Sequence, residues 1–263
     1  MSEWSAFLLG VIQGVTEWIP VSSQGIVTLA AAWPGTLAAA DAIAIGLWLH
    51  VGTALSAMGA LRKEIARLVR ETTAAPRRIS PTVAFLLVST AMTGVLGIPA
   101  FLLLGEAADR PGSAVLLIIG IAMIPTAWIG RRREWGAGRG LTDVTLTDAV
   151  LAGAAQGIAV VPGLSRTGLT VAALLGRGIG HHEAVTLSVL MGIPASLGAG
   201  ALALIVSDTV FGVPAIIGMI TAAAVGMAAI RTVLAWAGRV RLAPFIAVTG
   251  AVVTAGALPG VLA

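Results

Sequence analysis

The chain has 263 residues, 57% of them hydrophobic and 11% charged, with a mean hydropathy of +0.98. Soluble domains carry about 25% charged residues, so this composition excludes a soluble fold and marks a polytopic membrane protein. The net charge of +4 comes from Arg and Lys gathered between apolar stretches, which is not a nucleic-acid surface, and the lack of Cys excludes disulfides, thiolate metal sites and cysteine catalysis.

Read in order, the first thirty-odd residues form two short helices around a break from Pro20 to Gly25, each too short to cross a bilayer, hence a re-entrant hairpin. Met1 to Glu3 has no basic leader and the apolar stretch that follows carries Glu17, so no cleaved signal is read. Spans are expected over Ala38 to Leu61, Pro81 to Leu104 and Ser113 to Ile129. The first is followed by a strongly basic loop containing Arg62, Lys63, Arg67, Arg70, Arg77 and Arg78, and the third by Arg131, Arg132, Arg133 and Arg139. Thr142 to Leu175 reads as a second broken hairpin, followed by spans near Glu183 to Val206, Phe211 to Arg231 and Leu242 to Leu262.

The two hairpins correspond. Gly10-Val-Ile-Gln13-Gly, Pro20, Ser23 and Gly25 are matched in order by Gly153-Ala-Ala-Gln156-Gly, Pro162, Ser165 and Gly168, with Gln13 and Gln156 separated by the same 143 residues as Gly25 and Gly168. The fold expected is all-α and polytopic, with about six transmembrane helices plus two re-entrant hairpins, as one membrane domain of two repeats, 1–135 and 136–263. A hairpin that returns to its own side followed by three crossings inverts the second repeat. Basic residues then gather on one side, which the positive-inside rule makes cytoplasmic. Both termini and the Glu17 hairpin are expected on the extracytoplasmic side, with the two hairpins meeting near the midplane, where paired broken segments build binding sites.

Glu17 is the first chemical signal, because a charge facing lipid costs about 2.5 to 3.5 kcal/mol and such residues mark substrate or ion paths. Gln13 precedes it by one helical turn and shares its face. A buried carboxylate pairing with Arg166 to hold the hairpins together is the plainer alternative. Ser22 and Ser23 suit either a helix cap or a ligand contact. In Pro162-Gly-Leu-Ser165-Arg166-Thr167-Gly-Leu-Thr170, hydroxyls, a helix start and a planar guanidinium favour a phosphate-bearing ligand over a snorkelling Arg. Glu17 beside phosphate oxygens requires a divalent cation between them, Mg2+ or Ca2+ by the hardness of the donors.

These motifs resemble those of the undecaprenyl-diphosphate phosphatase family of the bacitracin-resistance type. Gln13-Gly-Val-Thr-Glu17-Trp-Ile-Pro-Val-Ser-Ser23 is similar to the family's Glu/Gln-x-x-x-Glu and Pro-x-Ser-Ser pattern, and Pro162 to Thr170 to its Pro-Gly-x-Ser-Arg-Ser-Gly-x-Thr motif. Leu49-His-Val-Gly-Thr53 with Arg62-Lys-Glu64, and Leu187 to Gly198 around Pro194, resemble weaker blocks, so the likeness is nearly full length. It implies hydrolysis of undecaprenyl (polyprenyl) diphosphate to the monophosphate and inorganic phosphate at the outer face of the plasma membrane, recycling the carrier for peptidoglycan and other envelope glycans and conferring bacitracin resistance. It also implies Glu17, Ser23 and Arg166 as catalytic, Gln13, Ser22, Ser165, Arg166, Thr167 and Thr170 as phosphate-binding, and Glu17 as the metal-side carboxylate. Whether the chain forms a homodimer stays open.

One position departs from the family. Where Ser-Ser-x-Gly-His is usual, this chain reads Ser22-Ser-Gln-Gly-Ile26. The alternative is therefore a polyprenyl-phosphate transporter of the same fold. His181 and His182 read as solvated loop residues, and His50 as a packing residue within a span or, alternatively, the replacement for the missing base. The seven Trp residues read as interface anchors and packing.

Overall fold

A computed structural model describes residues 1–19, 22–32, 37–75, 77–106, 138–160, 164–208 and 212–236, with a few isolated helical positions beyond them. Among these residues there are nine α-helices and no strand: α1 Glu3–Thr16, α2 Ser23–Ala32, α3 Ala39–Ala60, α4 Arg62–Ala74, α5 Pro81–Glu106, α6 Leu146–Ile158, α7 Arg166–Gly176, α8 His181–Val206 and α9 Val213–Trp236. Four of them are long and apolar enough to cross a membrane, over Ala40–Ala60, Pro81–Leu103, His181–Ile205 and Val213–Ala235. The spans expected at 113–129 and 242–262 fall largely outside the described residues.

The chain is an all-α multi-pass membrane protein. Helix α5 shows why: Leu87, Val95, Ile98, Leu102 and Leu103 are each about 60% exposed or more, a continuous apolar surface that water would penalise and lipid does not. By contrast, α1 and α2 have 14 and 10 residues, about 21 and 15 Å long at 1.5 Å per residue, and neither spans a core of about 30 Å.

One expectation is corrected. The basic stretch after α3 is not a loop from Arg62 onward: Arg62–Ala74 is helical. Arg, Lys, Glu, Ala and Leu dominate it and are strong helix formers. Arg67 pairs with Glu64 one turn earlier, and Leu68 is buried while Arg62, Lys63 and Arg70 are exposed. Charge alone pointed to a loop, and propensity with a one-sided apolar pattern overrides it.

The described chain forms two compact units. The first comprises Met1–Arg67 and Val189–Ala235, the second Leu68–Ser188 and Trp236–Ala263. In the first, Leu9, Val27, Ala31, Ala42, Ile45, Leu49, Ala203 and Ala215 form the apolar core. Helix α1 lies so close to α9 that a Cβ on Gly10 would stand 2.4 Å from the Gly218 carbonyl oxygen and one on Gly14 2.8 Å from the Gly226 nitrogen. Lipid offers helices no hydrophobic drive to associate, so close backbone approach through small residues supplies the packing. Trp48 adds a hydrogen bond from Nε1 to the Ala215 carbonyl at 3.0 Å, so this Trp packs rather than anchors.

The second unit repeats that packing in its own helices. A Cβ on Gly153 of α6 would stand 2.5 Å from the Ser89 carbonyl oxygen of α5, and one on Gly157 2.9 Å from Leu96 Cβ. Gln156 lies between them on α6 and donates from Nε2 to Thr93 Oγ1 at 3.1 Å. Helix α7 ends where Gly178 takes φ 82°, a left-handed conformation that side chains resist, with Gly178 N–H donating to Leu175 O at 2.9 Å and Ile179 N–H to Leu174 O at 3.2 Å.

Candidate active site

Helix α1 stops at Glu17, whose N–H still reaches Gln13 O at 3.0 Å while the chain turns away toward α2. The carboxylate is 2% exposed. Its Oε2 accepts hydrogen bonds from Gln13 Nε2 and from Ser23 Oγ, both at 2.8 Å, and lies 3.4 Å from His50 Nε2. Three helices therefore converge on one oxygen. The i, i+4 spacing of Gln13 and Glu17 was readable in the sequence, but the approach of His50 from α3 was not.

The two serines divide the work. Ser22 Oγ accepts from Gly25 N–H at 3.2 Å and caps α2, while Ser23 turns its hydroxyl to Glu17. Ile26 is half-buried on α2 and brings no polar group. His50 is anchored at its far edge, Nδ1 lying 2.7 Å from the Gly46 carbonyl oxygen. The Oε1 atom of Gln13 is buried and has no hydrogen-bond partner among the described residues.

The second hairpin is built differently. Its position 143 residues after Glu17 is Val160, so no carboxylate stands there. Ser165 caps α7, its Oγ accepting from Gly168 N–H at 3.1 Å, and Arg166 is the first helical residue. Thr167 is buried. Thr170 is buried too, its hydroxyl donating to Arg166 O at 2.9 Å and lying 2.5 Å from Ser188 Oγ, which gives it a packing role between α7 and α8. His181 and His182 are the first residues of α8 rather than loop.

The base of that hairpin holds an ionic staple that sequence reading passed over. Asp148, fully buried in the first turn of α6, accepts from Arg177 Nε at 2.7 Å, from Arg139 Nη2 at 2.8 Å, and from Thr145 N–H and Oγ1 at 2.9 and 2.8 Å. Burial works to raise its pKa, but the bonds from Arg177, Thr145 and Arg139 outweigh that and hold it at about 2. Thr145-x-x-Asp148 is a capping-box pattern, and that was the available signal.

Fold and site together define a class: a multi-pass α-helical membrane protein with a buried acid and amide and a half-buried hydroxyl and imidazole gathered at a helix break. The model of the bacitracin resistance protein BacA family matches residues 6–255, and the chain belongs to that family. It is 34% identical over 251 residues to a protein of Methanococcoides burtonii named undecaprenyl-diphosphatase, covering 91% of this chain and 92% of that one. A protein of the same name from Haloarcula marismortui is 37% identical over 254 residues, 92% of each chain. A third, from Methanopyrus kandleri, is 38% identical over 204 residues, 76% of this chain and 74% of the other.

Proposed function

We propose that this protein is an undecaprenyl-diphosphate phosphatase, releasing inorganic phosphate from the lipid diphosphate and returning the monophosphate carrier to cell-envelope glycan synthesis. The observation that carries this reading is the hydrogen bond from Ser23 Oγ to Glu17 Oε2, a hydroxyl directed at a buried acceptor within a lipid-facing fold. Ser23 attacks the terminal phosphorus, its proton passes to Glu17, and the bridging P–O bond breaks to release the polyprenyl monophosphate. Water then cleaves the phosphoserine ester, and inorganic phosphate leaves. Arg166, with Ser165 and Thr167 at the start of α7, takes phosphate oxygens, since a planar guanidinium and an N-terminal turn both suit that group.

The donor set fits a divalent cation. Gln13 Oε1 is a buried carbonyl oxygen without a hydrogen-bond partner among the described residues, on the amide that donates to the Glu17 carboxylate. Those two groups would hold the ion, which would supply charge neutralisation for the diphosphate. The orientation we propose places the Arg62–Arg78 region in the cytoplasm and the Glu17 hairpin toward the outside.

Purified protein incubated with undecaprenyl diphosphate tests the activity. One phosphate released per lipid is the expected result. Movement of polyprenyl phosphate across vesicles without any phosphate release would establish the transporter reading, which Ile26 motivates.

A further inference from the structure

Helix α3 has 22 residues, about 33 Å at 1.5 Å per residue, which uses up a hydrocarbon core of about 30 Å. Leu61 then leaves helical geometry at φ −97° and ψ 19°, and α4 opens at Arg62, so α4 starts at headgroup depth. The next span opens at Pro81. A segment that joins two consecutive spans starts and ends on one face of the bilayer, which holds 62–80 at that face. The side chains suit this depth. Ile65, Leu68 and Val69 recur at the spacing that gathers them on one side of α4, and Arg62, two turns before Val69, borders that side. Leu68 is buried in the protein, whereas Val69 is 56% exposed and Ile79, just before the next span, 58%. Arg62, Lys63, Arg70, Arg77 and Arg78 are exposed as well. Within 62–78 six basic residues stand against Glu64 and Glu71, and Glu64 is paired with Arg67. The other end of α3 has the opposite sign, with Asp41 in its first turn accepting from Ser207 Oγ at 2.9 Å.

We propose that α4, with the stretch that follows it to Ile79, is a docking surface for anionic phospholipid headgroups in the leaflet at that end of α3. Val69 and Ile79 enter the acyl boundary, and the basic side chains take the phosphates above it. A helix with an apolar side and a basic polar face, placed at the end of a span, binds in this way: apolar burial sets its depth, and each Lys or Arg near the surface adds attraction to anionic lipid. The long stems of Arg and Lys let the charge reach the headgroups while their carbons stay on apolar surface. Nucleic acid would gain from the charge but not from Val69 and Ile79 at the membrane edge. A zwitterionic lipid would gain from Val69 and Ile79 but far less from the charge. An anionic lipid answers both. The surface acts on any anionic bilayer, so the proposal depends neither on the phosphatase reading nor on which end of α3 faces the cytoplasm.

The test uses the full-length chain in phosphatidylcholine vesicles and exploits the lack of native Cys. Val69→Cys carries an NBD fluorophore. In a second sample the fluorophore sits on Ile205→Cys, a position 80% exposed at the end of α8, beside the Ser207–Asp41 contact and so at the opposite end of α3. Small amounts of doxyl-labelled phosphatidylglycerol or doxyl-labelled phosphatidylcholine then report which lipid neighbours each position. At low ionic strength the phosphatidylglycerol probe should quench position 69 about fivefold more effectively than the phosphatidylcholine probe, and position 205 no more effectively. Salt at about 0.5 M should remove the excess by screening. The combined variant Arg62→Gln, Lys63→Gln and Arg70→Gln should lose the excess and keep ordinary quenching by phosphatidylcholine, whereas Arg62→Lys with Arg70→Lys should keep the excess. Equal quenching of position 69 by the two probes, an equal excess at position 205, or an excess that survives the Gln variant would each overturn the proposal. Quenching of position 69 by neither lipid would overturn it too, and would mean that protein covers Val69, from this chain or a second copy.

Discussion

Ser23 and Glu17 stand on either side of the first helix break, and the Ser23 hydroxyl donates to Glu17 Oε2 at 2.8 Å. The bond needs the break, because two residues six apart on a continuous helix point in different directions. Glu17→Gln keeps the volume and removes a buried charge, so the protein should insert and fold normally. Its phosphate release should fall at least about a hundredfold with loss of the proton acceptor. Ser23→Ala should fall comparably. Near-normal hydrolysis by the purified Gln variant would reduce Glu17 to a structural role.

Arg166 opens α7 directly after its cap Ser165. Lys at this position retains the positive charge but not the planar fork that meets two phosphate oxygens at once. Arg166→Lys should therefore lower kcat/KM for the lipid diphosphate by about tenfold or more, with unchanged detergent-stable yield. Equal kcat/KM in the two proteins would mean that charge, not geometry, is what the position supplies.

Asp148 ties the two ends of the second hairpin through Arg177, and its pKa is held at about 2, below the ordinary carboxylate value. A depressed pKa means that its contribution is fully present above about pH 4 and is lost as pH falls toward 2. The shift corresponds to roughly 2 kcal/mol. Thermal melts in detergent should show the wild type losing stability across that window. Asp148→Asn should start lower at pH 7 and change less below pH 4, and parallel curves for the two proteins would reject the staple.

Orientation is tested by cysteine labelling, which is clean in a chain without native Cys. Ala74 and Asp208 are both exposed, the first at the end of basic α4 and the second in the turn after α8. In intact cells an impermeant thiol reagent should label Asp208→Cys and spare Ala74→Cys. The opposite pattern would place the Glu17 hairpin toward the cytoplasm.

Membrane class, the two broken hairpins and the four described spans followed from the sequence alone, because they depend on local quantities: runs of apolar residues, Pro and Gly at the breaks, and the 3.6-residue period that puts Gln13 beside Glu17. The Gly-x-x-Gln-Gly pattern, present twice in the sequence, marked the correspondence of the two hairpins, but that its glycines pack closely and against which helices, α9 for Gly10 and Gly14 and α5 for Gly153 and Gly157, was decided only in three dimensions. The same holds for the division between Ser22 as cap and Ser23 as Glu17 partner, since neighbouring identical residues carry no sequence signal of direction. His50 is the clearest case. It looks like a packing residue in an apolar span, and it meets Glu17 because the packing of α3 against the first hairpin brings together side chains that neither helix's own periodicity relates.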